Sequence, residues 1–222
     1  MRGNTPAPEV VLEDAAMPTG AVAAFDAPAG VLEAFRTVPR EEFLSGEYRD
    51  LAYGDHPLPI EAGQTISQPY IVALMIQAAE IKCGDRVLEI GAGSGYAAAV
   101  MSRIAGEVVA IERQHDLVQV AQERIARLGY DNVHIVEGDG TRGWEADAPF
   151  DAILAAASGS HVPPAWVKQL GDGGRIVMPV GDPGWVQKLI KVTKGPAGQL
   201  ITEDLGGVRF VPLIGEEGWN DG

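Results

Sequence analysis

Apolar and polar positions along the chain change period several times, and those changes mark out the elements. Residues 1–30 keep no steady period and are rich in Ala, Pro and Gly, which predicts a flexible N-terminal arm. From residue 31, Val31, Leu32, Phe35 and Val38 fit a short helix closed by Pro39. Residues 41–63 are irregular, with Pro57 and Pro59 holding Leu58 and Ile60 extended. A helix is predicted over about 68–80, with Ile71, Leu74, Met75 and Ala78 on one face.

After Cys83-Gly84-Asp85, short apolar runs alternate with helical segments. Strands are predicted over 86–90, 107–111, 133–136, 150–156 and 175–178. Helices over 97–104, 116–128 and 164–170 fall between them, the second stopped by Gly129. Two further strands, 186–192 and 208–213, have no convincing helix between them, and the glycines from 195 to 198 suggest a hairpin region. Repeated strand–helix alternation implies a parallel sheet. The expected fold is therefore α/β, a mixed seven-stranded sheet with helices on both faces and a closing antiparallel strand pair. Residues 31–222 read as one domain, with the alternating core over 83–222.

Composition narrows the function. At 222 residues, 46% of them hydrophobic, the chain can build one substantial core. No apolar run is long enough to span a membrane, and the first residues lack the layout of a signal peptide, so a cytoplasmic setting and no membrane partner are expected. A formal charge of −14 argues against nucleic acid, whose phosphates need clustered Lys and Arg. One cysteine excludes an intramolecular disulfide, and four scattered histidines without ligand spacing make no metal site expected.

The strongest chemical signal is Val87-Leu88-Glu89-Ile90-Gly91-Ala92-Gly93-Ser94-Gly95-Tyr96, where a buried strand feeds a glycine loop and then a helix. This is where open α/β sheets bind nucleotides. The spacing G-x-G-x-G differs from that of dinucleotide sites, and a plain tight turn is the competing reading of such a loop alone. Three acids change the balance. Glu112 ends the second strand, 21 positions after Gly91, where a carboxylate can accept from both ribose hydroxyls. Asp139, in Glu137-Gly138-Asp139-Gly140, follows the third strand and is placed for an adenine amino group. Glu89 sits inside an apolar strand, a costly position unless it meets a donor or cation such as a methionine ammonium. These residues, with Ala92 and Gly140 beside them, match the S-adenosylmethionine site of class I methyltransferases, which have a Rossmann-like fold.

The segment upstream is more specific. Val38-Pro39-Arg40-Glu41-Glu42-Phe43, then Tyr53-Gly54-Asp55-His56-Pro57-Leu58-Pro59-Ile60 and Gly63-Gln64-Thr65-Ile66-Ser67-Gln68-Pro69, resembles the protein-L-isoaspartate O-methyltransferases. Gly138-Asp139-Gly140, Ala148-Pro149-Phe150-Asp151, Gln169-Leu170 with Gly173-Gly174-Arg175, and Phe210-Val211-Pro212-Leu213 follow in the family's order. The resemblance covers roughly residues 31–215. It implies methyl transfer from S-adenosylmethionine, leaving S-adenosylhomocysteine, to the free α-carboxylate of L-isoaspartyl residues in damaged proteins and peptides. It makes residues 31–82 the substrate side and Ser67 the active-site residue, with Gln64, Thr65, Ile66 and Ser67 bordering the cofactor. Pro59, Ile60, Val211 and Pro212 are then expected along the peptide.

An isoaspartyl α-carboxylate is ionised at neutral pH, so the acceptor needs no base, only orientation and loss of water. Ser67-Gln68-Pro69 reads as a helix N-cap and first turn, where N–H groups and a hydroxyl can bind an anion. Simple capping by Ser67 is the plainer alternative. The sequence departs from the family pattern in residues 1–30, in Glu61-Ala62 beside the anion site, and in Ala155-Ala156-Ala157-Ser158-Gly159-Ser160. Two rival functions remain open: a methyltransferase that esterifies a normal aspartate in one dedicated peptide, and a cofactor-binding homologue without catalysis. The sequence says nothing of the oligomeric state.

Overall fold

The structure, a computed structural model, describes residues 29–221. The arm expected over residues 1–30 lies outside the described residues except for Ala29 and Gly30, which already belong to the first helix. That helix, α1 (Ala29–Thr37), turns Val31, Ala34 and Phe35 into the interior. Tight helical turns follow over Arg40–Phe43 and Gly46–Leu51. The two-residue strands β1 (Leu58–Pro59) and β2 (Thr65–Ile66) pair antiparallel and lead into α2 (Pro69–Ala79).

The main sheet contains β3 (Arg86–Ile90), β4 (Glu107–Glu112), β5 (Val133–Glu137), β6 (Phe150–Ala155), β7 (Leu170–Val180), β8 (Gln187–Lys194) and β9 (Leu200–Val208). Their order is β5-β4-β3-β6-β7-β8-β9. The first five are parallel, and β8 and β9 close the sheet antiparallel. The order reverses at β3, which has β4 on one side and β6 on the other. Crevices open beyond the carboxyl ends of strands at such a point.

Strand alternation sends side chains to two cores. Val108 and Ala110 of β4 and Leu154 of β6 face α1, α2, α3 (Tyr96–Ser102) and α4 (His115–Leu128). Val109, Ile111, Ile153 and Ile176 face the other side, covered by α5 (Pro164–Gln169). Helices thus occupy both faces, unequally. Gly129 ends α4 in the left-handed conformation, the expected stop.

Three expectations are corrected. The last strand was expected over 208–213 but runs over Leu200–Val208. It is an exposed edge carrying Thr202, Glu203, Asp204, Gly206 and Gly207, so it has little of the apolar run that normally marks a strand. Val211 to Leu213 instead cross the carboxyl end of the sheet, joined by a single bridge between Ser158 and Pro212. The strand expected over 175–178 begins at Leu170, its apolar signal interrupted by Gly171, Gly173 and Gly174. Finally, α2 buries Val72, Ala73, Met75, Ile76 and Ala79, whereas Ile71, Leu74 and Ala78 are only partly covered. The helix is apolar nearly all round, so its period cannot select a face.

On the second face, fully buried Trp166 donates from its indole nitrogen to the Gly140 carbonyl at 2.9 Å. Gln169 braces the same loop, donating to the Arg142 carbonyl and accepting from the Trp144 N–H. Replacing Trp166 with Ala removes a large core side chain and leaves that carbonyl unpaired. We expect a loss of about 3–5 kcal/mol, read by denaturant unfolding.

Candidate active site

The crevice is built where the glycine loop meets the end of β4. Gly91 and Gly93 adopt φ of 86° and 53°, a region that side-chain-bearing residues avoid, so the backbone turns at once after β3. The Gly91 and Ala92 N–H groups both donate to the Ile111 carbonyl, at 2.8 and 3.0 Å. The buried Glu112 carboxylate completes the seam. One oxygen accepts from the Gly93 N–H at 3.0 Å, and the other from the N–H groups of Arg113 and Gln114 at 2.8 and 3.0 Å. Three donors leave about one of a carboxylate's four acceptor sites clear, on the oxygen that faces Gly93.

Two adjoining spaces share Thr65, Gly91, Gly93 and Ala156 as walls. The larger, about 780 Å³, is lined by Gln64, Ile90, Ile111, Glu112, Gly140, Val211 and Pro212. The smaller, about 60 Å³, is the inner space, lined by Ile66, Ser67, Glu89, Ala92, Tyr96 and the α2 side chains Val72, Met75 and Ile76. Among the described residues lining this inner space, Glu89 alone bears a formal charge.

Glu89 is 3% exposed, and its Oε2 has no hydrogen-bond partner among the described residues. Burial pushes its carboxyl well above the ordinary carboxylate range, the nearby Glu112 charge adds to this, and a hydrogen bond with the Ala98 backbone opposes it. An unpaired buried carboxylate is costly unless a cation or donor arrives. The sequence anticipated the position; the structure supplies the open acceptor.

Ser67 stands where the inner space meets a groove lined by Pro57, Gln68, Val186, Arg209 and Phe210. It is not the N-cap that Ser67-Gln68-Pro69 suggested. Gln68 occupies that position with extended backbone, and Asp55 does the capping, accepting from the Tyr70 N–H at 3.0 Å and from Gln68 Nε2 at 2.7 Å. Pro69 has no N–H, so the helix end offers little to an incoming anion. The Ser67 hydroxyl, by contrast, is spent on no partner among the described residues. Its backbone carbonyl accepts from buried Arg40 at 2.9 Å.

Other expected positions divide. Asp139 is not among the residues lining either space. It accepts from the Thr141 N–H and hydroxyl at 2.9 and 2.7 Å and from the Glu216 N–H at 2.8 Å. Burial raises its pKa, but these bonds outweigh that and hold it below the usual value. Its carboxylate therefore anchors the closing C-terminal segment, while neighbouring Gly140 lines the crevice. Ile60 is buried beneath Gly93, and Pro59 is exposed on β1, pairing with Thr65; neither lines the crevice or the groove.

The far wall is made of Ile214, Trp219, Asn220 and Asp221 beside Arg113 and Gln114; sequence reasoning weighed Trp219 as a cleft residue against ordinary packing and missed the others. The Ser158 N–H donates to the Val211 carbonyl and the Leu213 N–H to the Ser158 carbonyl, both at 2.8 Å. Trp219 donates from its indole to the same Ser158 oxygen at 2.8 Å, and Arg113 pairs with Asp221. No local pattern in residues 214–221 announces this role, which depends on a long-range return to the sheet.

A crevice offering backbone, acceptors and an unpaired acid suits a ligand with ribose hydroxyls and a cationic amino-acid end. Fold and crevice fit the class I S-adenosylmethionine-dependent methyltransferases that the sequence resembles. Comparison with known proteins narrows the class. The model of the protein-L-isoaspartate(D-aspartate) O-methyltransferase family matches residues 23–218. Protein-L-isoaspartate O-methyltransferase 1 of Rhodopseudomonas palustris is 57% identical over 85% of this chain and 77% of its own length. Protein-L-isoaspartate O-methyltransferase 2 of Pelobacter propionicus is 54% identical over 85% and 84%. A solved protein-L-isoaspartate O-methyltransferase superposes with a TM-score of 0.81 at 33% identity, over 88% of this chain and 64% of that one. A Plasmodium falciparum protein assigned to the same family, solved with S-adenosyl-L-homocysteine, gives 0.75 at 28% identity, over 88% and 94%. The chain belongs to the protein-L-isoaspartate(D-aspartate) O-methyltransferase family.

A ligand ammonium seated against Glu89 would make binding depend on pH. The Glu89 pKa is raised in the free protein, and an ammonium beside it favours the ionised form. Binding therefore releases a proton, and affinity rises as pH climbs from the ordinary carboxylate range through the raised value. Calorimetry with S-adenosylhomocysteine should show this rise, and Glu89→Gln should abolish it while weakening binding about 10- to 100-fold, the worth of a charged hydrogen bond.

Proposed function

We propose that this chain methylates the free α-carboxylate of L-isoaspartyl residues in damaged proteins and peptides, with Ser67 orienting the acceptor. The observation that carries the site assignment is the unspent Ser67 hydroxyl at the mouth of a cavity whose floor holds an unpaired carboxylate. Family membership supplies the acceptor. Bound S-adenosylmethionine supplies an electrophilic methyl group on a positively charged sulfur.

The protein's own residues do the rest. Glu89 receives the ammonium of the amino-acid end, and Glu112 uses its remaining acceptor site for a ribose hydroxyl. Gly91, Ala92, Gly93 and Gly140 present backbone, Gln64, Thr65 and Ile66 border the opposite side, and Asp139 holds the Gly140 loop and the closing segment in place. Ser67 donates to an acceptor oxygen that is already ionised, so no base is needed and none is assigned. Val72, Met75 and Ile76 keep water from the reacting end. Methylation turns the carboxylate into an ester; the neighbouring backbone nitrogen attacks the ester carbonyl, its proton leaves with the methoxy group as methanol, and the resulting succinimide hydrolyses partly to normal aspartate.

In this reading residues 31–82 form the substrate side and 83–222 the cofactor core of one domain. The peptide runs beside Val211 and Pro212, with Pro57 rather than Pro59 or Ile60 facing the groove. Damaged proteins and peptides are the partners. An exposed free thiol at Cys83 suits a reducing cytoplasm, and among the described residues no helix is long and apolar enough to cross a membrane.

Radiolabelled methyl transfer should mark an isoaspartyl peptide and not its normal aspartyl twin; label on the aspartyl peptide, or on neither, overturns the reading. Ser67→Ala should lower turnover by about 10- to 100-fold, the value of one hydrogen bond to a charged group, and leave cofactor affinity nearly unchanged. Undiminished turnover would remove Ser67 from the mechanism. Glu112→Ala should weaken S-adenosylhomocysteine binding by a similar factor and loosen the glycine loop, with calorimetry as the measure.

A further inference from the structure

Arg40 is a second buried charge that the proposed chemistry leaves unused. It is 0% exposed, and its chain position, in Val38-Pro39-Arg40, places it at the start of a helical turn beneath the α2 entrance. Its Nε donates to the Ala52 carbonyl at 2.8 Å and its Nη2 to the Ser67 carbonyl at 2.9 Å. The guanidinium lies over the Tyr96 ring, 4.9 Å from its centre. Nη1 and the Tyr96 hydroxyl are both buried and, among the described residues, neither makes a hydrogen bond of good geometry; the guanidinium and the phenol interact only loosely with one another.

These contacts are all to neutral groups. Burial pushes the Tyr96 phenol up to about 12, so it stays uncharged at neutral pH and cannot balance the guanidinium. Burial lowers the Arg40 pKa, against upward pulls from Tyr96 and Asp55. Asp55 is the acid that Arg40 feels, but its two oxygens are engaged with the Tyr70 N–H and the Gln68 amide at the start of α2. Among the described residues Arg40 forms no direct ion pair. A buried cation held this way is stabilised further by any anion that settles nearby.

The nearest place for one is Ser67. We propose that Arg40 is a positioning residue for methyl transfer, which fixes the Ser67 backbone through its carbonyl and sets a positive charge with no direct ion-pair partner beside Ser67, where it draws in and orients the acceptor carboxylate. The inference rests on the reading of Ser67 given above. It pairs Arg40 with Glu89 as two buried charges on either side of the reaction: the acid awaits the cofactor's cationic end, the guanidinium the substrate's anionic one. Arg40 acts through Ser67 and lines neither the inner space nor the groove.

The two roles separate by substitution. Arg40→Lys keeps the charge but cannot bridge two carbonyls with a planar fork. Arg40→Met keeps much of the volume and removes the charge. The measurements, made with S-adenosylhomocysteine present, are the dissociation constants of an isoaspartyl peptide and of its uncharged α-carboxamide twin. Turnover with S-adenosylmethionine and affinity for S-adenosylhomocysteine are read alongside.

The wild-type protein should bind the acid roughly ten-fold or more tightly than the amide, as a charge held against the Ser67 backbone in a partly buried site would produce. Arg40→Met should erase most of that preference. Arg40→Lys should keep it while turnover falls at least ten-fold, because Ser67 is no longer held. In both variants the affinity for S-adenosylhomocysteine should stay within about two-fold of wild type, which a general loss of fold would not allow.

An unchanged acid-to-amide ratio in Arg40→Met would overturn the electrostatic role, and full turnover in Arg40→Lys would overturn the positioning role. Loss of S-adenosylhomocysteine binding in both would make Arg40 a folding residue only. If Arg40→Met does not fold, Arg40→Gln takes its place in the acid-to-amide comparison, with the same expected loss of preference. A wild-type protein that methylates no isoaspartyl peptide would instead sink the underlying assignment, a result distinct from a wild-type enzyme that works without an acid preference.

Discussion

The seam between the glycine loop and the end of β4 is the constraint on which the rest depends. Glu112 gathers three backbone N–H groups and the Ile111 carbonyl gathers two, so two neighbouring β–α connections are locked to one another. Buried backbone donors must be satisfied. Here they are satisfied in a way that leaves Gly91 and Gly93 facing open space and holds Glu89 against the crevice floor. Every feature of the site, from the orphan acid to the closing C-terminal segment, is arranged around that fixed turn.

Charge is distributed across the site with economy. The chain as a whole is strongly acidic, with a formal charge of −14, yet among the described residues the inner space has one acid and no base in its lining. A dinucleotide or phosphate ligand would need donors and cations concentrated at the loop. What the loop offers is backbone, and what the floor offers is an acceptor, a combination suited to a ligand that is itself positive. The acceptor's negative charge is met from the other side by a guanidinium stacked on a ring that also walls the cavity.

Much of the fold was legible because the central parallel strands are buried on both faces and read as apolar runs of the right length. Residues 86–90 are a strand in the pattern and in the structure alike. Legibility failed where burial is one-sided or absent: the exposed edge β9 looks like a polar loop, and α2 is too uniformly apolar to declare its inner face. Within the site, Glu89 was conspicuous because a charge in an apolar strand violates local expectation. Ser67 was found through resemblance, but the capping role suggested by its neighbours passed to Asp55, twelve positions upstream and invisible to local pattern. Asp139 was noticed for the right loop, yet its hydrogen bonds go to residues 141 and 216, partners only the folded chain brings near.

Ile66, Val72, Met75, Ile76, Tyr96 and Leu154 belong at once to the main hydrophobic core and to the walls of the inner cavity. A methyl donor bound there would pack against the interior as well as react, so its binding and the stability of the chain are linked. Because a ligand that binds only the native form raises the folded fraction in proportion to its free concentration, the cell's methyl-donor supply would set how much of this chain survives thermal stress. Starvation for the donor would then deplete the catalyst itself along with its turnover.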